Sequence, residues 1–327
     1  MSTYKEIKGF PIENFTTDPG NPPVGQLWYN STTAQYNYNT GTQVSAWATG
    51  NAMGSARYSL AGAGTSSATV AFGGFSSPPD TTENKTELYN GSVWTATAVM
   101  PTGQWELCGS GVQTSALAYA GNSPLELTQS WNGSTWVSAS GMNVNNQRAD
   151  AYGVGASNST AFMFGGAPPN NTRSEFFENG IWTTNTGLTT ARDKLGGVGI
   201  KASALAFGGD SGSLNLVEEW NDSTWASKPV LNTGRNFVTG SGLATLGTAF
   251  GGISSPGAYA GATEFWNGTT WTNQSSMTTG RQYSGGCGAT STAGIAFGGK
   301  TTPAGSSAAG QTEKFTASGG VKTVVRN

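Results

Sequence analysis

The sequence predicts an all-β protein built from one repeated four-stranded unit. Three observations carry that prediction. A Phe-Gly-Gly or close variant recurs as AFGG at 71–74, AYAG at 118–121, MFGG at 163–166, and AFGG again at 206–209, 249–252 and 296–299. The second positions of these pairs are spaced by 47, 45, 43, 43 and 47 residues, the length of a four-stranded propeller blade. Each pair is followed by an aromatic-rich segment ending in Trp: TELYNGSVW (86–94), TQSWNGSTW (128–136), SEFFENGIW (174–182), VEEWNDSTW (217–225) and TEFWNGTTW (263–271).

Each unit divides into four strands. The first follows an Arg and is small and Gly-rich. The second is short and apolar and ends at the Gly pair. The third carries Glu and an aromatic residue, and the fourth begins at the Trp. Between the third and fourth stands Asn-Gly or Asn-Asp, read here as a type I′ hairpin turn, which needs positive φ at both central residues. Small side chains suit the crowded centre of a propeller and large aromatics its wider periphery. Trp47 and Met53 repeat the Trp-to-Met spacing of the later units near the N-terminus.

Composition limits the rest. The 327 residues include 49 Gly and 35 aromatics, with 10% charged residues and a net charge of −2. The aromatic content supplies a core, and the small net charge argues against disorder. No basic cluster suggests nucleic acid, and no apolar run is long enough to insert in a membrane. The first residues, MSTYKEIKGFPIEN, lack the apolar core of a secretion signal, which predicts synthesis in a cytoplasm. There is no His, the commonest general base and metal ligand. Cys108 and Cys287 lie in different units and read as free apolar thiols.

Arg57, Arg148, Arg192, Arg235 and Arg281 each stand 17 or 18 residues before a second Gly. In the second unit Gln104 replaces Arg, and Gln129 replaces the Glu that the other units carry as Glu87, Glu175, Glu218, Glu264 and Glu313. Both charges vanish in the same unit. This joint loss predicts ion pairs within units: Arg57–Glu87, Arg148–Glu175, Arg192–Glu218, Arg235–Glu264 and Arg281–Glu313. A buried ion that loses its partner costs about 3–5 kcal/mol, and losing both to Gln avoids this. Regular recurrence favours a structural strut over a ligand-binding crown.

The double Gly, the aromatic and the Trp, in phase over residues 44 to 317, resemble the kelch repeat. The near-identical T-E-x-W-N-G-x-x-W and A-F-G-G copies are similar to kelch-like proteins of marine bacteriophages. The segment PPVGQLWYNSTTAQYNYN (22–39) resembles a hairpin of phage tail and fibre proteins. The resemblance implies a six-bladed kelch-like propeller, residues 41–327, preceded by an extended arm and hairpin, residues 1–40, with strands at Gly25–Asn30 and Ala34–Asn39. Three closures remain open at this point. Trp47–Gly50 completes the last blade, or Val321–Val325 does, or residues 24–49 begin a seventh.

The functional expectation is a virion structural protein of a phage tail, fibre or capsid appendage. The propeller serves as a display or host-contact module, and the chain is assembled in the host cytoplasm. Other virion proteins are the expected partners of the arm, through Trp28 and Tyr29, and a host-surface glycan or protein is the expected partner of the propeller. A carbohydrate-binding propeller is the second reading and a glycan-active enzyme the third. No catalytic residue, cofactor or metal is assigned. The Asp residues, including Asp80, Asp150, Asp193 and Asp210, read as scattered over loops. Candidate binding residues are those outside the repeat pattern: Trp105, predicted to be exposed, and Phe75 and Tyr259 in the loops after the double glycines. The sequons at Asn90, Asn132 and Asn267 read as hairpin turns.

Overall fold

The computed structural model describes residues 12–16, 26–32, 34–39, 44–122, 126–142, 148–167, 171–210, 215–254, 257–301, 307–318 and 321–323. The described residues form strands, bridges and turns, with no helix. The chain divides into two compact units. One comprises Met1–Ser45 with Ala317–Asn327, the other Ala46–Thr316.

In the first unit, Leu27–Asn30 pairs antiparallel with Gln35–Asn39 and parallel with Glu13–Phe15. Gln35–Asn39 pairs on its other side with Val321–Thr323, Asn37 facing Thr323. The C-terminal strand thus shares a sheet with the N-terminal hairpin. The predicted strand Val321–Val325 is described only as far as Thr323, and that part pairs with Gln35–Asn39 and not with the sixth sheet, whose outer strand is Val44–Gly50. Gly25 lies outside the described residues.

The second unit is an array of four-stranded sheets compatible with a β-propeller. Among the described residues there are six, five of them with their strands in sequence order and the sixth completed by a strand from early in the chain. The first sheet runs Ala61–Thr65, Ala68–Phe72, Thr86–Tyr89, Trp94–Ala96, and the second Cys108–Val112, Ser115–Tyr119, Thr128–Trp131, Trp136–Ala139. The third runs Tyr152–Ser157, Thr160–Phe164, Ser174–Glu178, Ile181–Asn185, and the fourth Gly196–Ile200, Ser203–Phe207, Val217–Trp220, Trp225–Lys228. The fifth runs Thr239–Leu243, Leu246–Phe250, Thr263–Trp266, Trp271–Gln274. The sixth is Gly285–Thr290, Ala293–Phe297 and Thr312–Ser318, and its outer strand is Val44–Gly50 from the start of the repeat region.

Two sets of contacts join each sheet to the next. The first is an aromatic seam. The ring ending the second strand packs on the Trp of the following sheet's outer strand. The pairs are Phe72–Trp136, Tyr119–Trp182, Phe164–Trp225, Phe207–Trp271, Phe250–Trp47 and Phe297–Trp94, with ring centroids 5.0–5.5 Å apart. Trp47 therefore takes the place in the sixth sheet that the later Trp residues take in theirs. Aromatic pairs in such tilted or edge-on arrangements contribute about 0.5–1.5 kcal/mol beyond area burial.

The second set fixes the indole nitrogens. Trp94, Trp136, Trp182 and Trp47 donate Nε1–H to Thr312, Thr86, Thr128 and Thr263 in the preceding sheet at 2.9 Å, and Trp225 donates to Ser174 at 3.3 Å. The fifth sheet is the exception. Val217 stands where the others have a hydroxyl, and Trp271 Nε1 is buried without an acceptor.

The predicted type I′ turn occurs in the third sheet, where Asn179 and Gly180 both have positive φ (52° and 79°). Elsewhere the turn is displaced by one residue. In Asn132-Gly133-Ser134-Thr135 the Asn132 N–H donates to Thr135 O at 3.2 Å, and of these residues only Gly133 has positive φ. Asn132 Oδ1 accepts the N–H groups of Ser134 and Thr135. Asn90, Asn221 and Asn267 do the same. The Asn side chain caps the turn and so displaces it, and the sequon asparagines are occupied by this task.

The orphaned indole yields a prediction. Val217→Thr supplies the missing acceptor to Trp271 and should raise unfolding free energy by about 1 kcal/mol in urea titration. Loss of stability instead would mean that the hydroxyl finds no partner there.

Candidate functional site

The Gly pair and the Arg are two halves of one device. The N–H of each second Gly donates to the carbonyl of the Arg, or of Gln104, in the next sheet. The bonds are Gly74–Gln104 at 2.7 Å, Gly121–Arg148 at 3.3 Å, Gly166–Arg192 and Gly209–Arg235 at 3.0 Å, and Gly252–Arg281 and Gly299–Arg57 at 2.8 Å. The last runs from the sixth sheet to the first. Gly is required because the approach is close and φ is positive. At Gly209, φ is +101° and an added Cβ would lie 2.7 Å from the carbonyl oxygen of Asp193.

The Arg side chains turn back into their own sheets. Arg57 Nη1 donates to Gly73 O (2.6 Å) and Lys85 O (2.9 Å), and Nη2 to Glu87 Oε1 (2.9 Å). Arg192 and Arg235 repeat the pattern with Glu218 (3.2 Å) and Glu264 (3.0 Å), Arg148 meets Glu175 at 3.2 Å, and Arg281 meets Glu313. All five guanidinium groups are buried. Burial works against each guanidinium's charge, and the partner carboxylate opposes that effect. In four sheets the second carboxylate oxygen accepts backbone N–H groups ahead of the Arg, such as Gly54 N on Glu87 and Thr189 N on Glu218, both at 2.7 Å.

The second sheet builds the same joint without charge. Gln104 Nε2 donates to Ala120 O (2.7 Å), the carbonyl equivalent to that of Gly73. Gln129 Nε2 donates to Gln104 Oε1 (2.7 Å), and Gln129 Oε1 accepts Thr102 N (3.1 Å). These residues hold backbone, and none of them faces an opening.

The residue two positions beyond each Arg has a different role. Ser59, Glu106, Asp150, Lys194, Phe237 and Tyr283 occupy this position in the six sheets. All six have φ between 51° and 54°. Their backbones are joined in sequence: Glu106 N to Ser59 O (2.9 Å), Lys194 N to Asp150 O (2.9 Å), Phe237 N to Lys194 O (2.7 Å) and Ser59 N to Tyr283 O (2.8 Å). Left-handed φ is uncommon outside Gly and costs free energy, so it persists where surrounding structure enforces it. Here the backbone hydrogen bonds between neighbouring positions accompany it, and it occurs alike after Arg and after Gln104.

These six residues line the mouth of a funnel open to solvent and walled by the first strands of the sheets. Their backbones are nearly identical and their side chains all differ. Phe237 and Tyr283 face each other with ring centroids 3.9 Å apart. The aromatic arc continues through Tyr58, Phe75 and Trp105, at spacings of 6.1, 5.6 and 5.2 Å. Lys300 Nζ lies 4.0 Å over Tyr58, and Lys194 Nζ 5.6 Å over Phe237. Lys194 also reaches Asp193 (3.7 Å) and Asp210 (3.6 Å).

Glu106 and Asp150 form the acidic part of the mouth. Burial, helped by the Asp150 charge and by Asp193, pushes the Glu106 carboxyl from its ordinary 4.5 to about 7, against the pull of Asn122 and Lys194. Burial and Asp193 push Asp150 from 3.8 to about 6. Asp193 is also raised by burial. Ser59 is 6% exposed, and its Oγ is buried without a partner.

The candidate residues named from the sequence fall partly here. Trp105 is half-buried rather than exposed, because it packs on Phe75. Tyr259 accepts a hydrogen bond from Gln282, the neighbour of Tyr283. Trp28 is fully buried, and Tyr29 is half-buried against the more exposed Tyr36 at 4.9 Å. The scattered carboxylates are corrected too, since Asp150 and Glu106 share one funnel mouth. The missed signal is a column two residues after Arg reading S, E, D, K, F, Y among otherwise repetitive columns. Cys108 and Cys287 are free thiols, both pushed up to about 12 by burial. Among the described residues no cluster of His, Cys, Asp and Glu is suited to a metal ion. No protein-family model matches the chain, and no curated protein matches it.

Two predictions follow from this geometry. Arg192→Gln alone leaves Glu218 unpaired and should cost about 3–5 kcal/mol in urea unfolding. Arg192→Gln with Glu218→Gln should recover most of that loss, as Gln104 and Gln129 do naturally, and a purely additive double variant would contradict the reading. Glu106→Gln should act with pH. The folded carboxyl holds its proton to about 7 and the unfolded one only to near 4.5. Wild-type stability therefore falls as pH rises through that window. The variant should be more stable than wild type by about 2 kcal/mol at pH 8, with no difference at pH 4, by thermal unfolding.

Proposed function

We propose that Ala46–Thr316 is a closed six-bladed kelch-like propeller and that the chain is a non-catalytic display and host-contact module of a phage particle. The cyclic reading draws support from the Gly299–Arg57 bond, the Phe297–Trp94 contact and the donation of a hydrogen bond by Trp94 to Thr312, each joining the sixth sheet to the first. A ring whose ends meet leaves no free inner strand edge to template aggregation.

The observation that carries the functional reading is the mouth of the funnel. Six equivalent, strained backbone positions display six different side chains, whereas the architectural positions around them repeat. Symmetry serves the scaffold, and its breakage marks a place of recognition. The phage assignment rests on the resemblance of the repeat and of the 22–39 hairpin, with the sheet of the first unit offering a separate attachment body.

The test is fractionation of the particles. Antibody to the chain should co-sediment with purified particles through a density gradient and label their surface. Recovery of the chain only in the free protein fraction of lysed host cells would overturn the assignment.

A further inference from the structure

We propose that the funnel mouth of the second unit binds a neutral saccharide, one ring seated between the Phe237–Tyr283 wall and the Glu106–Asp150 pair. The inference names a ligand class for the recognition surface above and rests on that reading, but its test uses the isolated full chain.

The funnel mouth combines charge with unfilled bonding capacity. Glu106 and Asp150 make no ion pair among the described residues. They offer acceptors to hydroxyl donors. Ser59, more than nine-tenths buried, lines the funnel with an Oγ that has no partner. Lys194 offers a donor on the side opposite Ser59 in the ring order. A sugar hydroxyl both donates and accepts, so one ring of hydroxyls can serve all four groups. Its C–H face meets an aromatic wall.

The competing classes fit less well. An organic cation would find the carboxylates, but two lysine charges stand beside the same aromatic wall. Lys300 Nζ lies over Tyr58 and also 5.8 Å from Tyr283, and Lys194 Nζ lies over Phe237. Both lysines would repel it. An anion would meet Glu106, Asp150 and Asp193 together. A neutral ligand with an apolar face escapes both objections.

The left-handed backbone adds a second argument. Asn or Gly would relieve φ near +52° at each of the six positions, yet none is present. The charged pair also costs stability above pH 7. A site that retains strain and uncompensated charge where milder residues fit is arranged for binding rather than for stability.

The test is titration calorimetry and saturation-transfer NMR on the full chain at pH 8. The probes are the methyl glycosides of glucose, galactose, mannose and N-acetylglucosamine, with cellobiose and lactose, and choline and glucuronate as charged comparators. At least one neutral sugar should bind, and neither charged probe should bind as well. Glu106→Gln, Asp150→Asn and Phe237→Asn, the last chosen because Asn tolerates the backbone, should each weaken binding about tenfold or more. Val137→Ser, on an exposed outer strand, should leave it unchanged. Unaltered thermal unfolding of the Phe237 variant at pH 4 separates lost contact from lost fold. Absence of binding by every neutral sugar, equal binding by the funnel variants, or preference for choline or glucuronate would overturn the proposal. Cleavage of cellobiose or lactose would overturn it as well, since the site would then be an enzyme's.

Discussion

One hydrogen bond organises the second unit: from the N–H of the second Gly of each repeat to the carbonyl of the Arg that opens the next. It needs a residue without a side chain on one partner and a fixed backbone on the other. The first need explains the double Gly. The second explains the Arg, whose guanidinium is tied to the carbonyl of the first Gly and to the carbonyl preceding the third strand. Side chain and backbone of one residue thus face opposite ways, the former holding its own sheet and the latter holding its neighbour.

The buried Arg–Glu pairs are therefore better read as geometry than as a store of stability. A buried ion pair can cost in desolvation about as much as its attraction returns. The second sheet makes the point within the same molecule. Gln104 and Gln129 reproduce the carbonyl contact, the cross-link and the grip on the backbone N–H of Thr102 with no charge at all. What the joint fixes is the position of the chain two residues on, where it turns left-handed and enters the funnel mouth. The strut and the lining of the funnel mouth are consequently one structural element.

Much of this was legible in the sequence because periodicity is a property of the chain. The Gly pairs, the Trp positions and the joint loss of Arg and Glu gave the repeat, the sheet order and the pairings, and the Trp47 segment gave one of the three closures. The partner of Val321–Thr323 was not legible, since a short C-terminal strand carries no periodic signal and its pairing with Gln35–Asn39 spans nearly the whole chain. The type I′ turn was misplaced because the Asn carboxamide competes for backbone donors, a local effect that the Asn-Gly dipeptide does not reveal. The funnel residues escaped notice for an instructive reason. Similarity between repeats hides the column where they differ, and here that column lines the funnel.

The scaffold and the funnel make different demands. The scaffold asks for sameness, and where Val217 breaks it an indole goes without an acceptor. The funnel asks for difference on a backbone held alike six times. Both depend on the inter-sheet bonds running without a break, and the bond of the sixth sheet to the first is the decisive one. Native-state hydrogen exchange of the second-Gly amides tests this directly. The account predicts that Gly299 is protected as strongly as Gly166 and Gly209 and is released with them in one cooperative opening. Fast exchange of Gly299 while Gly166 and Gly209 stay protected would contradict it.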